Sequence, residues 1–196
     1  MPARTTREEA RQRIIKSFMD SLDRIIPPEE SVPLRGRTFL DWEHQADVLK
    51  VPNTAMAVTI DIGDKKNVHP KDKQDVGDRL ARIARAKVYG ERIEWSGPTV
   101  ASVKVEGASV RVTFSHADGL TAKGGDPRTF EVAGADGTFV PATARIDGAT
   151  VVVSSPTVPQ PTAVRYAWNR WPEGCNLYNG AGLPAAPFRT DGPAAP

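Results

Sequence analysis

Thr59-Ile60-Asp61-Ile62-Gly63-Asp64-Lys65-Lys66-Asn67-Val68-His69-Pro70 is the stretch on which the reading of this chain turns. Just before it, Ala55-Met56-Ala57-Val58-Thr59-Ile60 climbs out of a turn at Pro52-Asn53-Thr54. That apolar run is short, carries β-branched residues and is bounded by turn formers, so it predicts a buried strand. Two acids and a histidine follow the strand, and a helical pattern opens near Asp72. α/β folds use such a layout to present an acid and a base at the edge of a sheet. Asp61 and Asp64 are the candidate acids, and His69 is the candidate base.

Working outward, Asp72 is placed to cap a helix whose predicted buried stripe is Val76, Leu80, Ile83, Ala84 and Val88. Gly90 suits a left-handed cap at its end. From Glu91 to Pro98 the hydrophobic period changes from helical to two. Candidate strands are Val100–Glu106, Ser109–Ser115, Thr129–Ala133, Phe139–Ile146, Thr150–Ser154 and Thr162–Ala167. Glu106-Gly107, Asp136-Gly137 and Asp147-Gly148 supply the glycines that tight hairpin turns demand. Short alternating strands between such turns predict an antiparallel β-sandwich. His116, near a strand end, reads as structural. The tail from Trp168 to Asp191 mixes Trp168, Trp171, Tyr178 and Phe188 with Asn169, Asn176 and Asn179. Rings beside amides can hold sugars, which makes Trp168, Asn176 and Tyr178 candidate substrate-binding residues. The same tail also reads as an arm packed on the domain.

Towards the N-terminus, residues 5 to 26 read as an amphipathic helix. Ile14, Ile15, Phe18, Leu22, Ile25 and Ile26 form its apolar face, and Pro27-Pro28 ends it. That face packs on its own domain or pairs two copies of the chain, so a homodimer through this helix is one expectation. A second, shorter helix with His44 on its surface is predicted over Thr38–Leu49. The expected organisation is thus a helical leader and connector over 1–37, a partial α/β segment over 38–92, and a β-sandwich with an aromatic C-terminal arm over 93–196.

Composition sets the outer bounds. At 196 residues the chain suits one α/β domain or two small ones. Its net charge of +2, with no basic stripe carrying interleaved aromatics, gives no case for nucleic acid. A single cysteine, Cys175, rules out an internal disulfide and a cysteine-based zinc site. No cofactor and no metal is expected. No run of about 18 apolar residues is present to span a membrane, and the N-terminus has no apolar signal core, which leaves localisation open.

The stretch from Val51 to Asp64 resembles bacterial sialate O-acetylesterases of the SGNH hydrolase superfamily. So do Asn67-Val68-His69-Pro70 through Gly77, Arg79-Leu80-Ala81 and Ala86-Lys87-Val88-Tyr89-Gly90. The likeness resumes at Val164–Trp168, Cys175–Asn179 and Gly182–Asp191, with order and spacing kept. It implies a C-terminal portion of such an esterase, with His69 as the general base of a Ser-His-acid site and an acid before it orienting the imidazole. Asn67 stands where members of the family often carry that acid, so Asp64 is favoured and Asp61 is the alternative. Gly63 frees the backbone to turn Asp64 towards the histidine.

The nucleophile region of the family is not matched. Met19-Asp20-Ser21-Leu22 echoes a Gly-Asp-Ser-Leu turn without its glycine, and it falls within a helical pattern; Ser21 is the remaining candidate nucleophile. The resemblance therefore implies a carboxylic-ester hydrolase that removes O-acetyl groups from sialic acid or related sugars, as an incomplete fragment. It also implies an acetylated carbohydrate as the partner, and relatives that are often exported. The rival expectation is a non-catalytic carbohydrate-binding or accessory β-sandwich module.

Overall fold

The computed structural model describes residues 45–46, 48–64, 71–169 and 171–191. Ser21, His44 and His69, the leader helix and most of the second predicted helix lie outside the described residues. The described part is mostly strand in antiparallel sheets, with one helix, α1 (Lys73–Lys87). The strands are β1 (Thr99–Glu106), β2 (Ser109–Ser115), β3 (Thr121–Ala122), β4 (Phe130–Ala133) and β5 (Phe139–Pro141), then β6 (Thr143–Asp147), β7 (Thr150–Ser154), β8 (Ala163–Tyr166), β9 (Leu177–Tyr178) and β10 (Phe188–Arg189).

One four-stranded sheet runs β1-β2-β7-β6 and another β10-β8-β4-β5, while β3 and β9 form a small ribbon. The hairpins follow from local chemistry. Gly107, Gly137 and Gly148 take φ of 62°, 71° and 61°, as their turns require. Alternation then selects the faces. Val110, Val112 and Phe114 of β2 point inward, as do Val151 and Val153 of β7, and all are at most 5% exposed. Phe130, Val132, Val164, Tyr166 and Phe188 of the other sheet belong to the same hydrophobic cluster. Phe114 meets Phe188 edge-on at 6.0 Å between ring centroids, joining the two sheets. Each such aliphatic or aromatic side chain contributes about 1.5–3 kcal/mol by leaving water.

Two strands depart from simple alternation for identifiable reasons. In β1 a register shift falls between Val100 and Ser102. The irregularity lets Val100, Val103 and Val105 share the face of their partners Phe114, Val112 and Val110 despite uneven spacing. β1 is an edge strand, and Val103 and Val105 remain 36% and 50% exposed where the core stops short of it. The predicted single strand Phe139–Ile146 is two strands in different sheets. Pro141 cannot donate to a ladder, and the Ala142 amide donates to the Phe130 carbonyl at 3.0 Å as the chain crosses over.

The α/β expectation holds for the helix and not for the strand before it. Asp72 caps α1, accepting from the Asp75 amide at 2.9 Å, and Gly90 at φ 70° turns the chain beyond its end. Residues 55–59 take no regular secondary structure and belong to no sheet. A strand needs a neighbour for its amides and carbonyls; here the Val58 carbonyl accepts from the Arg79 guanidinium at 2.6 Å instead. The buried stripe of α1 is also shifted from the expected one. Arg79 is 6% exposed, whereas Leu80 and Val88 are 52% and 75% exposed.

The C-terminal arm is woven into the strands. β9 pairs with β3, and β10 extends the second sheet along β8. Asn179, 2% exposed, donates to the carbonyls of Ser96 and His116 and accepts from the Leu183 amide, so one amide group fastens the arm to two connectors. The arm presses hardest on Gly97, where a β-carbon would lie 1.9 Å from the Pro184 carbonyl oxygen. Both groups are backbone and neither can swing away. Gly97→Ala should therefore lower stability by about 2 kcal/mol or more in urea melts. Gly77→Ala, on α1 with open space around it, should raise stability by about 0.5–1 kcal/mol.

Asp191 ends the arm between Arg165 and Arg189, at 2.6 and 2.7 Å. Burial pushes its carboxyl up, but hydrogen bonds from both guanidiniums outweigh this and hold it well below the usual carboxylate range. A depressed folded pKa contributes stability that is present above the unfolded value, about 4, and is lost as pH falls through the folded value. Asp191→Asn should therefore shrink the drop in Tm between pH 7 and pH 3, measured by calorimetry.

Candidate active site

The acid-bearing turn is assembled from three directions. Upstream, the Thr54 hydroxyl donates within reach of the carbonyls of Val48 and Val51, at 2.6 and 2.8 Å, fixing where the segment 55–59 begins. The segment ends in a turn closed by the Ile62 amide on the Thr59 carbonyl at 3.3 Å, and Ile60 packs against the hydrophobic cluster of the sheets. Three residues on, Trp171 of the C-terminal arm covers Gly63: a β-carbon there would lie 3.1 Å from the indole ring. A side chain at position 63 would thus crowd the indole ring, which would have to shift by a few tenths of an ångström to admit it.

The two aspartates meet different environments. Asp61 points inward, its side chain 8% exposed. Arg79 engages it with both ends of the guanidinium, Nη1 to Oδ1 at 2.6 Å and Nη2 to Oδ2 at 2.8 Å. The Tyr178 hydroxyl adds a hydrogen bond to Oδ2 at 3.2 Å. A bidentate pair with a third donor is the arrangement that compensates a buried carboxylate for lost water. Asp64 lies nearer solvent, its side chain 22% exposed and paired with Lys71 at 3.2 Å, Lys71 itself being highly exposed. His69, the expected partner of either acid, lies outside the described residues, as does Ser21.

Charge and burial set the neighbouring groups. Burial alone would lower the Arg79 pKa, but the hydrogen bond and charge of Asp61 raise it overall. The Tyr178 hydroxyl is pushed up by burial and by Asp61, so it remains a donor at neutral pH. Lys123 sits over the Tyr178 ring, its ammonium 3.5 Å from the centroid. The Cys175 thiol is pushed up to about 11, first by burial and then by the Asp61 charge. A thiol that stays protonated is a poor nucleophile. Among the described residues, no group of three or more His, Cys, Asp or Glu is placed to hold a metal ion.

The three arm residues expected to touch substrate sit apart in role. Tyr178 is brought onto Asp61. Asn176, 4% exposed, donates to the carbonyls of Lys123 and Asp126 and accepts from the Arg128 amide, closing the loop after β3. Trp168 is half-buried, with the Arg189 guanidinium 5.5 Å from its ring centroid. The sequence pattern assigns no site role to Arg79 or Lys123 and offers Trp171 only as one ring of the aromatic tail. For Arg79 a signal existed: it falls on the Val76–Ile83 side of the helix, at spacing that places it inward, and a lone cation there calls for a buried acid. Nothing local marks Lys123 or Trp171, whose partners are 55 and 108 residues away in sequence.

A solved carbohydrate acetylesterase from Xanthomonas citri superposes with a TM-score of 0.73 at 44% identity, over 76% of this chain and 35% of that one. The chain is similar to sialate O-acetylesterases. The Mus musculus enzyme of that name is 31% identical over 172 residues, and the Homo sapiens enzyme 32% identical over 175. In each case 78% of this chain is matched, and it spans about a third of the relative's length. No family profile matches the chain.

The lone thiol offers a direct probe of the site. Cys175 should react slowly with a disulfide reagent at pH 8. Asp61→Asn removes a nearby negative charge, lowers the thiol pKa and should speed labelling several-fold, followed by thionitrobenzoate release.

Proposed function

We propose that this chain carries the acid–base portion of an esterase that removes O-acetyl groups from sialic acid or a related sugar. The observation that carries this reading is the contrasting placement of the two carboxylates. Asp61 is committed to Arg79 and Tyr178, while Asp64 stands nearer solvent at the start of the segment that leads to His69. Asp64 is therefore the acid of the pair and Asp61 a structural anchor. The 44% identity to a carbohydrate acetylesterase supports the choice of reaction.

In the proposed chemistry, His69 accepts the proton of an attacking hydroxyl as its oxygen bonds to the acetyl carbonyl carbon. It then delivers that proton to the departing sugar oxygen as the ester bond breaks. Asp64 holds the imidazole tautomer and balances its charge. Water releases the acetyl group in the second half-reaction. The sheets β1-β2-β7-β6 and β10-β8-β4-β5 are read as a β-sandwich that backs the turn. A serine in a sharp glycine-rich turn, and donors to the developing oxyanion, are the parts for which this chain offers only Ser21.

The 196-residue chain by itself should therefore hydrolyse p-nitrophenyl acetate barely above buffer. Robust turnover abolished by His69→Ala would instead make it a complete enzyme, and loss with Ser21→Ala would name the nucleophile. The half-buried rings of Trp168 and Trp171 favour one alternative, a non-catalytic sugar-binding module. Tryptophan fluorescence titrated with acetylated sialosides separates the two, since binding without turnover supports the module.

A further inference from the structure

We propose that Arg79 is a positioning residue. It bolts the acid-bearing turn to α1, and Tyr178 of the C-terminal arm holds the same Asp61 carboxylate from the other side, so that the strand region serves the acid–base site as its clamp. This deepens the esterase reading and rests on it only in taking Asp64 as the working acid.

Three acceptors converge on one guanidinium. Arg79 Nη1 reaches the Val58 carbonyl and Asp61 Oδ1, both at 2.6 Å, while Nη2 reaches Asp61 Oδ2 at 2.8 Å and the Asp75 carboxylate at 3.5 Å. The contacts span the residues before the turn, the turn and the first turn of α1. Because the guanidinium is planar, satisfying both Asp61 oxygens and the Val58 carbonyl together leaves the turn little rotational freedom. With Asp61 drawn inward, the backbone through Ile62 and Gly63 carries Asp64 towards the exposed side. Arg79 thus acts on Asp64 through the chain, without touching it.

The clamp closes from the strand side. Tyr178 of β9 donates to the same carboxylate, Trp171 lies on Gly63, and Ile60 enters the core shared by the sheets. Tyr178 is itself held by the β3–β9 pairing and by the ammonium of Lys123 over its ring. An ion pair whose side chains are 7% and 8% exposed is screened little by salt, unlike a surface pair. This accounts for an arginine at an inward helical position where the pattern calls for an apolar residue.

The test uses the full chain and needs no substrate. Arg79→Lys keeps the charge but presents one ammonium, which cannot span three acceptors. Hydrogen exchange at the amides of Ile60 to Gly63 should rise at least tenfold, with the amides of Val112, Val132 and Val151 unchanged. The thiolate absorbance of Cys175, titrated near 240 nm, should move to lower pH as Asp61 swings away from it. Tyr178→Phe, a gentler change, should raise exchange at the same amides several-fold. If Arg79→Lys leaves both turn exchange and the Cys175 titration as in the wild type, the clamp is wrong. Exchange that rises uniformly through the sheets in Arg79→Lys also overturns it, because Arg79 is then a general stabiliser. Should Arg79→Lys fail to fold, Tyr178→Phe decides alone: local loosening supports the clamp, and wild-type exchange rejects it. None of these readouts involves an ester, so a chain inert towards p-nitrophenyl acetate leaves the outcome legible.

Discussion

A buried carboxylate must find a cation and enough donors to replace its water, and Asp61 meets that demand through Arg79 and Tyr178. Much of the architecture around the turn follows from this requirement. The helix rotates so that an arginine, and not Leu80, faces inward. The segment before the turn lends a carbonyl to the guanidinium and does not join a ladder. The C-terminal arm delivers a tyrosine hydroxyl from more than a hundred residues away.

The strands supply the rigidity that such a site needs. Two four-stranded sheets share one hydrophobic cluster, and the arm is fastened by β10, by Asn179 and by the close backbone contact at Gly97. Polar side chains in the arm act as fasteners as much as its rings act as filler. Asn176 and Asn179 each close three hydrogen bonds to backbone groups, which is why they are buried despite their polarity. The aromatic and amide mixture that reads as a sugar platform in sequence is thus also a set of tertiary ties.

Similarity to sialate O-acetylesterases covers 78% of this chain. In space the turn and the arm form one assembly, because Asp61 meets Arg79 and Tyr178 while Gly63 meets Trp171.

Local order alone determined much of this protein. Hairpin glycines at positive φ, the alternating strands β2 and β7 and the Asp72 cap all depend on residues a few positions apart, so the sequence displays them directly. Tertiary structure decided the rest. Whether residues 55–59 become a strand depends on a neighbour that no local pattern can supply. The break at Pro141-Ala142 is written in the proline, but assigning its two halves to different sheets required the Phe130 carbonyl. Above all, the chain ranks Asp64 before Asp61 only by position and by Gly63, and nothing along it marks Asp61 as the buried partner of a cation. They differ in space because only Asp61 is met by a buried guanidinium from a helix and a hydroxyl from a distant strand, and such meetings of charge exist only once the chain has folded.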